Sequence, residues 1–294
     1  MGFREKWLEA VETKNSVLCA GLDPAEFDMG RREKGLSKDE DKLNWSTKYI
    51  DAVAPFVAAI KPNSQYWRGL EDSSDLRVVR DHAKERGLII IDDSKLADIG
   101  STNDAGMFFS KDLGADAVTL APYGGNIKEA ARQAHHRGLG IIGMCLMSNP
   151  EYEREKNMLV RLNDEEQRRY EFDDLIFLGI DIFVPRYIQL AYDSHRYGLD
   201  GIVVGAPSSE NHITEKELSN VAEYIDHRML VLSPGVGAQG GEAKALWKYF
   251  GKNKVIVNVG RALMFPDGSN SSPEDQAVAA ESYMGMLNEL RAAA

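Results

Sequence analysis

The sequence of 294 residues has only two cysteines, Cys19 and Cys145, each inside an apolar run. This excludes a disulfide framework and predicts two buried thiols. Cys-x-x-Cys and His-Glu-x-x-His spacings are missing, and the pair His135-His136 lies in a polar helical stretch where solvent, not metal, is its expected neighbour. No run of eighteen apolar residues occurs, and the start Met1-Gly2-Phe3-Arg4-Glu5-Lys6-Trp7 reads as a polar leading helix, not a secretory leader. A cytoplasmic protein is therefore expected. Positive charge is also short: 35 Lys and Arg stand against 46 Asp and Glu, a net charge of -11, which disfavours nucleic acid and anionic membranes as partners. A small anionic ligand in a locally positive pocket remains compatible with that balance.

What the chain does have is a recurrent pattern of short aliphatic runs: 16–22, 56–60, 88–91, 115–120, 139–146, 201–204, 229–232 and 255–259. Helical patterns alternate with them over 75–86, 104–113, 127–137, 185–197 and 215–225. Continuous apolar strands imply burial on both faces, as in parallel sheets covered by helices. The length suits one barrel or two smaller domains. Eight units without a low-complexity linker favour a single (β/α)8 barrel over 1–294 rather than a doubly wound sheet with a second domain. A helix over about 4–13 would cap the N-terminal mouth, and one over about 273–291 would close the outer ring. The interval 149–181 is longer than a barrel connection requires and carries the charged run 163–170; it is expected to be a solvated helical excursion on the rim after the fifth strand.

The third run leads into Asp93-Ser94-Lys95-Leu96-Ala97-Asp98. Side chains two apart on a strand share a face, so Asp93 and Lys95 point together, and Asp98 lies beyond on a loop that can fold back. Carboxylates beside an ammonium keep it charged against partial burial. A protonated lysine in a pocket donates protons and stabilises anions. Such a charged string at the end of a wholly aliphatic strand is costly unless it is used.

Catalytic side chains of barrels project from the C-terminal strand ends. Here the first strand ends in Asp23, the second in Lys61-Pro62-Asn63, the fifth in Ser148-Asn149, the seventh in Ser233-Pro234-Gly235-Val236-Gly237-Ala238-Gln239-Gly240-Gly241 and the eighth in Asn258-Val259-Gly260-Arg261. Glycine lets the backbone approach an oxyanion, and arginine supplies a fork of charged donors, which together describe a phosphate site after strands seven and eight. Gly235 to Gly240 also spells the dinucleotide fingerprint, yet it follows the seventh strand rather than the first, and the stretch about twenty residues on is Val257-Asn258-Val259-Gly260-Arg261, without the acid a ribose needs. A nicotinamide cofactor is not expected.

Taken together, Asp93-Ser94-Lys95-Leu96-Ala97-Asp98-Ile99-Gly100-Ser101-Thr102, Pro234 to Gly241 and Gly260-Arg261 resemble the orotidine 5′-monophosphate decarboxylases, in order and spacing, over most of the chain. The resemblance implies decarboxylation to UMP without metal or organic cofactor. It implies that Lys95 protonates C6 of the pyrimidine, that Lys61, Asp93, Lys95 and Asp98 form an alternating charge network, and that Asp98 comes from the second subunit of a homodimer. It further implies that Asp23 and Lys61 hold a ribose hydroxyl, Thr102 reaches the ribose across the interface, Ser148 reads the pyrimidine edge, and Pro234, Gln239, Gly240, Gly260 and Arg261 surround the phosphate. The long interval after Ser148 departs from a compact member.

Three other readings fit parts of the pattern. A magnesium-dependent sugar-phosphate decarboxylase or aldolase of the same barrel would need an acidic ligand at the second strand tip, where this chain has Lys61. A Schiff-base aldolase would need a lysine of lowered pKa, which flanking acids oppose. A non-catalytic phosphate-binding barrel would keep the phosphate loops and use the charge network only for structure.

Overall fold

All eight aliphatic runs form strands. The computed structural model describes residues 1–69, 72–236 and 243–294. In chain order the strands are β1 (Leu18–Leu22), β2 (Ala59–Pro62), β3 (Ile89–Leu96), β4 (Ala117–Leu120), β5 (Gly140–Leu146), β6 (Leu159–Leu162), β7 (Ile176–Leu178), β8 (Asp181–Pro185), β9 (Gly201–Val204), β10 (Leu230–Pro234) and β11 (Val255–Val259). β1, β2, β3, β4, β5, β9, β10 and β11 pair in that order, all parallel, and β11 closes on β1 to form a barrel. β1, β2, β4 and β9 are buried at every position; apolar character predicts this for β1 and β9, while in β2 and β4 the burial extends to the polar Lys61 and Thr119.

The helices between strands bury one stripe each. In the helix Ile127–His136 the buried residues are Ile127, Ala130, Ala131, Gln133 and Ala134, the spacing of a single face turned to the sheet. The first helix, Phe3–Lys14, buries Phe3, Trp7, Ala10 and Val11 beneath the barrel. Its Arg4 and Lys6 pair with Asp200 and Asp116 at 3.5 and 2.6 Å, just before β9 and β4, and the Trp7 indole donates to the Asn253 carbonyl at 2.8 Å. Any side chain at Gly140 would overlap the Phe3 ring, so this cap and the start of β5 require each other. The last helix, Pro273–Ala293, starts at Ser272, whose hydroxyl accepts from Asp275 N–H, and near its end Asn288 and Arg291 reach Asn15. Both end helices therefore lie where the sequence predicts.

The excursion after β5 differs from expectation. The interval is not mainly helical: β6, β8 and β7 form a separate antiparallel sheet, and helix is confined to Tyr152–Lys156, Asp164–Gln167 and a 3-10 turn at Phe172–Asp174. The charged run 163–170 supplies a capping box at Asn163, which starts one turn and no more. Flanking it, Leu159-Val160-Arg161-Leu162 and Asp181-Ile182-Phe183-Val184 are β-prone, and Gly179, at φ +65°, opens a two-residue hairpin between Leu178 and Asp181. Short β-runs outweigh one capped turn. Among the described residues no helix is long and apolar enough to cross a membrane.

Candidate active site

The C-terminal ends of the barrel strands enclose a cavity of about 680 Å³. Asp23, Lys61, Asp93, Lys95, Ser148, Pro234, Gly260 and Arg261 all line it, so the strand-tip argument brings these eight together. Gln239 and Gly240 lie outside the described residues. Asp98 and Thr102 do not line the cavity of their own chain; both are exposed.

The centre of the site is Asp93, which is almost fully buried. One carboxylate oxygen accepts from the Lys61 ammonium, and the other lies 2.7 Å from the Lys95 ammonium and 3.0 Å from the Thr119 hydroxyl. Within one chain the arrangement is thus one acid between two lysines. Burial by itself would raise the Asp93 carboxyl, but Lys61 and then Lys95 outweigh it and hold the group well below the usual carboxylate range. Burial would likewise lower Lys61, yet Asp93 and Asp23 reverse that and raise it. Both groups are therefore ionised at neutral pH. Asp23 is raised by burial, with Lys61 opposing, and its Oδ1 is buried without a hydrogen-bond partner. Such an atom is ready to accept from a ligand hydroxyl.

Lys95 reaches this position through an irregular strand. Asp92 pairs with Val118 and Leu96 with Leu120, so β3 advances four residues while β4 advances two. Lys95 takes up the excess at φ +49°, a conformation that a side chain makes costly and that persists only where neighbours enforce it. Behind the strand, Asp92 points the other way and is held by Arg80 at 2.8 Å and by the Ser110 hydroxyl at 2.5 Å, all three buried.

The opposite lip is formed by glycine and Arg261. A side chain at Gly21 would come within 2.9 Å of the Gly260 backbone, so glycine at position 21 lets β1 approach the end of β11 beneath Arg261. The lining also includes Asn258 from the eighth strand tip and residues that strand-tip reasoning did not single out: Arg31 and Lys34 from the loop after β1, Tyr66 after β2, and Thr119 within β4. Thr119 and Asn258 are polar residues inside otherwise apolar strands, a signal present in the sequence. For Arg31 and Lys34 no spacing gave notice.

Asp98 is fixed on the outside. Asn103 and Asn126 both donate to its carbonyl, and its own carboxylate accepts from Ile99 N–H at 2.8 Å. The loop therefore does not fold back over Lys95. Beside it Ile99 is exposed and lies against Gly124, next to the exposed Tyr123. Cys19 and Cys145 are buried free thiols, the former pushed up to about 12 by burial. His135 and His136 are exposed, and among the described residues no cluster of His, Cys, Asp or Glu could hold a metal ion.

A family model described as orotidine 5′-phosphate decarboxylase / HUMPS family matches residues 16–268. Among curated proteins, an orotidine 5′-phosphate decarboxylase of Bordetella avium is 30% identical over 99% of this chain and 100% of its own. One from Natronomonas pharaonis is 30% identical over 94% and 93%. Among solved structures, the OMP decarboxylase of Leishmania donovani superposes with a TM-score of 0.73 at 21% identity, covering 100% of both chains. The orotidine 5′-monophosphate decarboxylase of Methanocaldococcus jannaschii, solved with the inhibitor BMP, gives 0.63 at 20% identity, covering 92% of this chain and 98% of that one. At these identities the two structures share the barrel fold.

Proposed function

The chain belongs to the orotidine 5′-phosphate decarboxylase / HUMPS family, and from that premise we propose that it converts orotidine 5′-monophosphate to UMP in pyrimidine biosynthesis, without metal or organic cofactor. One observation carries this reading: a buried aspartate shared by two lysines on the floor of a cavity whose lip is Gly260-Arg261.

In the reaction the bond from C6 to the carboxylate breaks, CO2 leaves, and the electron pair stays on C6 in the ring plane, where the π system cannot take it up. Stabilisation must then be electrostatic. The Lys95 ammonium stands beside the developing carbanion and transfers its proton to C6; the neutral amine is reprotonated from solvent. Asp93 fixes that ammonium in advance, so no solvent needs to reorganise at the moment of bond breaking. Asp23, with its unpartnered oxygen, accepts a ribose hydroxyl beside Lys61. Ser148 reads the base. Arg261, Gly260, Pro234, Gln239 and Gly240 take the phosphate, whose binding energy serves to hold the ring against Lys95.

A homodimer completes the site in this reading, with Asp98 and Thr102 supplied to the cavity of the partner. Their exposure outside their own cavity supports it, as do the exposed Ile99 and Tyr123 on the neighbouring loops, apolar surface that association would cover. The cytoplasmic location expected from the sequence belongs to the same reading, and cell fractionation tests it.

The relatives that use magnesium are disfavoured by Lys61, a buried cation at the second strand tip that repels a dication. A Schiff base is disfavoured because Asp93 raises Lys61 instead of lowering it. Purified protein incubated with orotidine monophosphate should bleach the orotate absorbance band, and EDTA should not slow it. Loss of turnover on chelation, or trapping of a carbonyl substrate by borohydride, would replace this reading with one of the other two.

A further inference from the structure

Lys95 occupies a strained position, and something must hold it there. Its φ of +49° falls in the middle of the register shift between β3 and β4, directly across from Thr119, the β4 residue between the paired Val118 and Leu120. The Thr119 hydroxyl accepts the backbone N–H of Lys95 at 2.9 Å. Having accepted there, it directs its own proton to Asp93 Oδ1 at 3.0 Å, the same oxygen that receives the Lys95 ammonium at 2.7 Å. A closed ring results: backbone of Lys95, hydroxyl of Thr119, carboxylate of Asp93, ammonium of Lys95. Thr119 is 2% exposed, so both bonds are made in the interior and not in bulk water.

We propose that Thr119 is a positioning residue for the decarboxylation, its hydroxyl tying both the backbone and the counter-charge of Lys95 so that the ammonium is aimed at the reacting carbon. The strand is clamped from both sides. Outside the barrel Asp92 is locked by Arg80 and Ser110; inside, where the strand departs from regular pairing, one hydroxyl does the equivalent work. Thr119 need not touch the nucleotide to matter. A displacement of about 1 Å in a proton donor costs on the order of a hundredfold in rate even when binding is unchanged.

The kinetic arm of this proposal rests on the decarboxylase reading; the geometric arm does not. Thr119→Val keeps the shape and removes both hydrogen bonds. Its kcat on orotidine monophosphate should fall roughly 10- to 100-fold while UMP affinity, by calorimetric titration, stays within about threefold, and Thr119→Ser should recover turnover to within about threefold of the parent. Should the valine protein not fold, Thr119→Ala carries the same expectation. A valine variant within twofold of the parent overturns the proposal, as does a parallel loss of UMP affinity or a serine variant no faster than valine. If the parent protein does not turn over orotidine monophosphate at all, the functional reading falls instead. The geometric arm then decides: a crystal structure of Thr119→Val should show the Lys95 ammonium withdrawn from Asp93, and an unmoved ammonium refutes the role.

Discussion

The two lysines that share Asp93 sit in different surroundings, and that difference separates their roles in one experiment. The Lys95 side chain is 40% exposed and that of Lys61 only 8%. Replacing Lys95 by alanine leaves Asp93 still bonded to Lys61 and Thr119, so no buried charge is stranded. A half-exposed pair contributes about 0–1 kcal/mol. For a chain of this size the melting temperature should then move by no more than about 2–4 °C. Turnover is another matter: loss of a general acid costs about 10²–10⁴, and loss of the charge beside a carbanion roughly another 10²–10³, so decarboxylation should fall by at least about 10⁴. Lys61→Met inverts the balance for stability. Breaking a buried pair from one side costs about 3–5 kcal/mol, somewhat offset by Lys95, so melting should drop by roughly 6–15 °C. Orotate absorbance, thermal melting and UMP titration on the two variants and the parent read all three quantities. The reasoning fails if Lys95→Ala retains more than a hundredth of the parent rate, or melts as low as Lys61→Met.

Two other outcomes follow from features away from the cavity floor. His135 is raised chiefly by its hydrogen bond to Asp200, with burial opposing. A raised folded-state pKa contributes stability that is complete below the unfolded value near 6.5 and is lost as pH climbs through the folded value. The melting difference between the parent and His135→Gln should accordingly be larger at pH 5.5 than at pH 8.5; an equal difference at both would refute the assignment. For the assembly, Asp98→Ala and Lys95→Ala should each be inactive, but a mixture that exchanges subunits should regain about a quarter of parent activity, because half the dimers are mixed and each holds one intact site. Activity of the mixture no higher than the mean of the two variants would place Asp98 in its own subunit's chemistry or in none.

The barrel was legible because its strands are buried on both faces, and such strands announce themselves without reference to their neighbours. Leu18 to Leu22 and Val255 to Val259 needed no alternation to be recognised. Charges at strand tips were legible for the same reason, since Lys61 and Asp93 interrupt aliphatic sequence where a charge is expensive. The helix Lys42–Val53 was passed over although Trp45, Tyr49, Ile50 and Val53 mark its buried stripe after the N-cap Asp41. The sheet β6–β8–β7 was missed because a dense charge run drew attention to one capped turn and away from the short β-prone pieces flanking it. The role of Thr119 was beyond reach for a different reason, although its polarity inside β4 is plain in the sequence. Its part depends on a register shift, and a shift of pairing is a relation between two strands that neither strand's sequence displays alone.

The way the excursion after β5 leaves the barrel has a consequence for how the chain can change. Leu159 is paired with Pro185, and Arg186 N–H reaches the Met158 carbonyl at 2.9 Å, so the departing and returning strands meet at a single doorway. Between them the excursion is also tied to the outer helices, where Asp174 accepts from the Tyr224 hydroxyl at 2.6 Å and Tyr170 packs on Tyr192 and Tyr224, whereas the hairpin tip at Ile180 projects almost wholly into solvent. That tip can be lengthened, trimmed or exchanged for foreign sequence while the anchored part of the excursion and the strands on either side keep their places. It is where this scaffold can accept novelty without disturbing its chemistry.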